Sequence, residues 1–193
     1  MSGNDLDPLA RKSVTLHAAM GPGEESLFRH LQRTRATVRH VWPPPERIGE
    51  DADLVLCEYD PGLANRLSWM PGEPRAALIV LLPQVGRVDL RGLRVVCPDA
   101  VLQRPWLPQA IDVALVLALD HFSYGERLRQ RIQRMDENIH AMRTIELAKH
   151  QIMKKNGVGD AEAFRILRTM AMQRRATVAA IAARLVDSID IPP

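Results

Sequence analysis

Leu128, Ile132, Met135, Ile139 and Met142 follow one another at intervals of 4, 3, 4 and 3 residues. That spacing holds one apolar seam on a helix, and few folds suit it besides one in which the seam lies against a partner helix. Ile132 and Ile139 fall at the a positions of a heptad; Leu128, Met135 and Met142 fall at d. A β-branched residue at a, with residues unbranched at Cβ at d, favours two parallel strands, so the seam predicts a homodimer. Arg127, Arg129, Arg131, Arg134, Asp136 and Glu137 stand between these positions, as on a solvated outer face. The other reading is an amphipathic helix lying on its own sheet, since five positions span only two heptads. The seam divides the chain into an expected domain at 1–120, a dimerisation helix at 121–142 and a C-terminal domain at 143–193.

The first 120 residues alternate between β-rich runs and helical patterns. Val14–Ala19, Thr37–Val41, Leu54–Cys57 and Ala77–Leu82 read as strands, with short runs at Val95-Val96 and Ala100–Leu102 beyond them. An amphipathic stretch with Leu27, Phe28 and Leu31 lies between the first two strands. Pro43, Pro44 and Pro45 end the second, because proline supplies no backbone donor. Between the third and fourth strands Pro61, Gly62, Pro71, Gly72 and Pro74 leave room only for a short helix. Pro108–Leu119 is an apolar helical pattern with proline in its first turn. Near-continuous apolar strands separated by connecting segments predict a doubly wound α/β domain, its parallel sheet covered on both faces.

The last fifty residues read as three helices. The first continues from the seam through Ile145, Ala148 and Ile152 and stops at Asn156-Gly157, where glycine accepts the left-handed conformation. The second starts with Asp160 as N-cap and Glu162 in the first turn, and its apolar positions are Ala163, Phe164, Leu167, Met170 and Ala171. The third starts near Thr177 and runs through Ile181, Ala182 and Leu185. Phe164 is expected in the core by its register, and Met153, Met170 and Met172 are expected to pack.

Charge separates the segments. Residues 1–120 hold 13 Lys/Arg and 15 Asp/Glu, residues 121–142 hold 4 and 3, and residues 143–193 hold 9 and 5. The excess of basic groups is therefore C-terminal, where a polyanion would bind. The longest apolar runs, Ala76–Leu82 and Val113–Leu119, are seven residues, against about 20 for a membrane span. The first twenty residues carry Asp5, Asp7, Arg11 and Lys12 and no apolar core of a signal peptide, so a cytoplasmic protein without a membrane partner is expected. Cys57 and Cys97 are expected to be buried free thiols. No phosphate-binding glycine loop follows a strand, no nucleophile turn is present, and Glu146 with His150 is too small a set for a metal. A non-enzyme without cofactor or metal is expected.

From Arg143 the chain reads Arg143-x-Ile145-Glu146-x-Ala148-Lys149-x-x-Ile152-Met153-x-x-x-Gly157. It continues as Ala163-Phe164-x-x-Leu167-Arg168-x-x-Ala171-Met172-x-x-Arg175, then Ile181-Ala182. This resembles the ANTAR family, RNA-binding domains of transcription antitermination regulators, with nearly every signature position filled over about fifty residues. The resemblance extends upstream to Val41-Trp42-Pro43-Pro44-Pro45-Glu46 and to the order of sheet domain, coiled coil and three-helix domain.

The N-terminal domain is similar to a response-regulator receiver, which implies a flavodoxin-like fold, but the pattern is degenerate. Asp53–Glu58 aligns with the strand that ends in the phosphorylated aspartate, and Glu58 stands at the phosphoacceptor position. Ala18-Ala19 replaces the acidic pair that holds magnesium, and Arg104-Pro105-Trp106 replaces Lys-Pro-Phe. Asp60 is a conceivable acceptor, but phosphoryl transfer relies on the missing metal charge. A pseudo-receiver not switched by aspartyl phosphate is expected.

What the resemblance implies is a dimer that captures two hairpin loops of a leader mRNA and so prevents a terminator from forming. Two linked modules raise the effective concentration for the second hairpin. A ligand-sensing negative-regulator protein is a further implied partner. With Phe164 assigned to the core, an aromatic platform is not expected. Recognition then falls to Lys149, Lys154, Lys155, Arg168, Arg174 and Arg175 meeting phosphates, of which Lys149, Arg168 and Arg175 occupy signature positions. Arg174 and Arg175 precede the third helix, whose N-terminus also attracts phosphate. A DNA-binding response regulator is one rival, although the third helix offers only Thr177, Arg184 and Asp187 among alanines for reading a major groove. A protein-interaction adaptor without nucleic acid is the other.

Overall fold

A computed structural model describes residues 9–70 and 72–188. Asp5, Asp7, Pro71 and the outermost ends of the first and last expected segments lie outside the described residues. The chain forms two compact units, Met1–Glu126 and Arg127–Pro193.

The first unit carries five strands, β1 (Ser13–His17), β2 (Thr37–His40), β3 (Leu54–Glu58), β4 (Ala77–Leu82) and β5 (Ala100–Gln103). They form one parallel sheet in the order β2-β1-β3-β4-β5. Three helices alternate with them: α1 (Pro22–Gln32), α2 (Leu63–Arg66) and α3 (Leu90–Val96). A fourth, α4 (Pro108–Asn156), follows β5. Because side chains alternate along a strand, β3 and β4 feed two cores at once. Leu54, Leu56, Ile79 and Leu81 pack with Leu27 and Leu31 of α1 and with Ile111, Leu115 and Leu119 of α4. Val55, Cys57, Leu78 and Val80 face the other way, onto Leu63 of α2 and Leu93 and Val96 of α3. This is why the sequence shows apolar runs rather than alternation: both faces are covered, and each buried Leu or Ile contributes about 1.5–3 kcal/mol.

Two expectations are corrected here. Val95-Val96 is not a strand but the end of α3, whose start is capped by the Asp89 carboxylate accepting from the Arg91 N–H at 2.9 Å. Cys57 is buried as expected, and burial pushes its thiol up to about 12. Cys97 is exposed, because it closes α3 in the left-handed conformation (φ 50°) and turns away from the core.

The second unit contains the rest of α4, then α5 (Asp160–Gln173) and α6 (Val178–Asp187). The helical pattern read at Pro108–Leu119 and the seam are parts of a single 49-residue helix. Gly157 ends it at φ 66°, its N–H donating to Met153 O at 2.9 Å. The N-cap of α5 is Gly159, and Asp160 is the first helical residue. Thr177 caps α6 as read, its hydroxyl accepting from the Ala180 N–H at 3.1 Å. Ala148, Ile152, Ala163, Leu167, Ala171, Ile181 and Ala182 form the core. Alanine at four of these seven positions lets the three helices approach closely, but it buries little area, so this unit is the more weakly held of the two.

Candidate nucleic-acid interface

Residues 130–140 are exposed throughout, and so are Leu128, Ile132, Met135, Ile139 and Met142 of the seam. An uncovered apolar stripe on a helix is a surface awaiting a partner.

The basic residues divide by their surroundings. Lys149 is nearly buried and already engaged: its ammonium lies 2.6 Å from Asp160 Oδ1 and 3.0 Å from Glu146 Oε1. The hydrogen bond to Asp160, with that to Glu146 second, raises its pKa. This pair joins the last turns of α4 to the first turn of α5, so a signature lysine holds the unit together where a phosphate contact was read. Arg165 is similarly taken, 2.7 Å from Glu162 one turn earlier on α5. Arg168, Arg174 and Arg175 are exposed, and among the described residues no carboxylate pairs with them. Lys154 and Lys155 are exposed on the last turn of α4, at the rim of a cleft of about 810 Å³ floored by Ile152, Ile166, Met170 and Leu185. Gln151 also lines that cleft, and its Oε1 is buried without a hydrogen-bond partner.

The turn between α5 and α6 sets Arg174 and Arg175 where the sequence reading placed them. Arg174 is the C-cap of α5, and Arg175 follows at φ 50°, a conformation that costs a non-glycine residue about 1–2 kcal/mol. The Ala176 N–H donates to Ala171 O at 3.0 Å and closes the turn.

Two packing expectations fail. Phe164 is 42% exposed, and Met172 72%. On α5 the core stripe is Ala163, Leu167 and Ala171; Phe164 sits on its shoulder and Met172 beyond it. Helical spacing puts Phe164 next to the stripe, and only the packed neighbours decide whether a shoulder position is covered. Met153 and Met170 do pack against the core.

In the first unit Glu58 ends β3, and its carboxylate is neutralised from within. One oxygen lies 2.8 Å from an Arg104 nitrogen, and the other accepts from the Ala19 N–H at 3.3 Å. The same Arg104 nitrogen donates to Glu24, which is buried on α1, and the guanidinium stacks over the Trp106 ring at 4.7 Å. Glu24 was not singled out from the sequence, since an acidic residue in a first helical turn is ordinarily a solvated dipole partner. Beside this cluster, at the ends of β1 and β3, is a cavity of about 280 Å³ lined in part by His17, Trp42, Asp60 and Arg66. It lies at the point where the strand order reverses, where open α/β sheets bind ligands.

The first unit has a response-regulator-like α/β fold, and the second is similar to an ANTAR domain. The ANTAR domain model matches residues 133–186. A curated relative is the aliphatic amidase regulator of Pseudomonas aeruginosa, to which the chain is 27% identical over 195 residues, covering 97% of this chain and 98% of that one. Among solved structures, a low-resolution structure of the response regulator StyR shares the fold. It has a TM-score of 0.51 at 12% identity and covers 93% of this chain and 100% of that chain. No helix among the described residues is long and apolar enough to cross a membrane.

Proposed function

We propose that this chain is a cytoplasmic, non-enzymatic transcription antitermination regulator that binds paired hairpin loops of a leader mRNA as a homodimer. The supporting observation is a coincidence within one unit: the ANTAR match covers the segment in which Arg168, Arg174 and Arg175 stand exposed, with no carboxylate partner among the described residues. Cations left open in a folded unit are available to phosphates, and the energy of counterion release makes such binding salt-dependent. Lys154 and Lys155 extend the basic surface, and Lys149 acts through Asp160 to set the start of α5. Leu128, Ile132, Met135, Ile139 and Met142 form the dimer seam and bring two modules to two hairpins.

Control falls to the first unit without phosphorylation. Arg104 supplies to Glu58 and Glu24 the positive charge that a receiver draws from magnesium, so the phosphoacceptor position is occupied by a closed ion cluster. A ligand or a ligand-sensing negative-regulator protein then sets the active state. Incubation with acetyl phosphate and Mg²⁺ is expected to add no mass to the chain.

The deciding experiment is a gel-shift titration of the full chain with a two-hairpin leader RNA, a loop-scrambled RNA and a matched DNA duplex across a salt series. Tight, loop-dependent, salt-sensitive binding to the first alone is the expected result. Equal or stronger binding to the duplex would replace this reading by a DNA-binding response regulator. Absence of binding both by the full chain and by residues 121–193 would replace it by a protein-interaction adaptor.

A further inference from the structure

Phe164 is the only Phe, Trp or Tyr beyond Tyr124, and it is not packed into the core of its own unit. We propose that Phe164 is the platform on which an unpaired base of the bound RNA stacks, with Arg168 meeting the phosphate beside it; this rests on the RNA reading above. An exposed aromatic ring has a reason to persist where something planar covers it. Every base presents such a face, and loop bases are free to present it.

The surroundings favour a nucleic acid over a second protein. Arg168 lies one turn along α5 and Met172 one turn further, at about 6 Å per step. The apolar groups are thus interrupted by an exposed guanidinium that has no carboxylate partner among the described residues. A protein partner would have to bring an acidic group to that point, whereas a nucleotide carries its anion next to its base. The carboxylates near the ring are already neutralised: Asp160 by Lys149 at 2.6 Å and Glu162 by Arg165 at 2.7 Å. What faces outward from α5 is one aromatic ring with a net positive border. Arg174 and Arg175 continue that border past the end of the helix.

The test uses the full chain and a two-hairpin RNA carrying 2-aminopurine at each loop position in turn. Wild-type protein is expected to change the fluorescence at one position by stacking. Phe164→Leu keeps apolar bulk but removes the π-face. It should abolish that change and weaken binding about tenfold, leaving the salt dependence intact. Phe164→Tyr or Phe164→Trp should retain both. If wild-type protein binds the loops but Phe164→Leu matches it in affinity and fluorescence, the stacking role is overturned and the RNA reading stands. If Phe164→Trp is as weak as Phe164→Leu, the ring serves packing and the proposal also falls. If wild-type protein does not distinguish the hairpins from the scrambled RNA, both readings fall together.

Discussion

The cluster at the end of β3 and the basic surface of the helical unit use their charged residues in opposite ways. At the end of β3 the ions are closed on one another, Arg104 on both Glu24 and Glu58. In the helical unit Lys149 and Arg165 are closed in the same way, but Arg168, Arg174, Arg175, Lys154 and Lys155 stay exposed, with no carboxylate on them among the described residues. A closed ion cluster contributes to one conformation and is unavailable for exchange with a partner, whereas an open cation contributes little until an anion arrives. The difference teaches where to look for recognition. The same residue type is tied into the fold or stands open to a ligand according to what lies beside it, as Lys149 and Arg168 show.

The sharpest way to break the contrast is to disrupt the proposed dimer seam, which would present the open surface in duplicate. Ile132→Glu with Ile139→Glu puts like charges at both a positions. The chain is then expected to sediment as a monomer at concentrations where the wild type is dimeric, with self-association weakened at least about 100-fold. Opening the closed cluster comes next. Arg104→Ala leaves the buried Glu24 carboxylate without its partner, and the sheet unit should lose about 2–4 kcal/mol in urea unfolding. Adding Glu24→Gln to that variant should recover part of the loss.

A smaller effect separates open from closed cations within the helical unit. Arg168→Ala should weaken RNA binding across sequences and lower the slope of log K against log salt by about 1. Lys149→Ala should instead lower the melting temperature of the helical unit, and its salt slope should match wild type once folding is restored at low temperature. The smallest effect is a pH dependence confined to the sheet unit. His17 is buried, and desolvation holds its pKa below 6.5. The folded unit therefore keeps it neutral while the unfolded chain takes up a proton near pH 6.5. Stability is flat above about pH 7.5 and falls as the pH drops through 6.5 toward the folded value. Thermal melts at about pH 7.5 and 5.5 should show that fall, and His17→Gln should flatten it.

Most of the sheet unit was legible because its strands are apolar on both faces. Ala77–Leu82 was read with the bounds the structure gives it, and the other main strands within two residues. Val95-Val96 was misread because two β-branched residues suit either a strand or a helix end, and only the Asp89 cap decides between them. In the helical unit the stop at Gly157 and the start at Thr177 were legible because each rests on local backbone chemistry. The candidate site was legible only as a list of residue types. Arg174 and Arg175 at a turn followed from the cap; the capture of Lys149 by Asp160, eleven residues on, did not.

What the sequence determined by itself was periodic or local: the two-faced strands, the 4-3-4-3 seam, the helix ends, and a basic C-terminal segment bearing the ANTAR signature. Those properties need only neighbours in the chain, so a pattern of residue types carries them. What the tertiary structure alone decided was pairing and exposure. Glu24 joined Arg104 across 80 residues, Lys149 turned inward, and Phe164 was left outside. Each depends on which side chain a distant element brings within a few ångströms, and the shoulder of a helix has no periodicity that says whether anything will cover it.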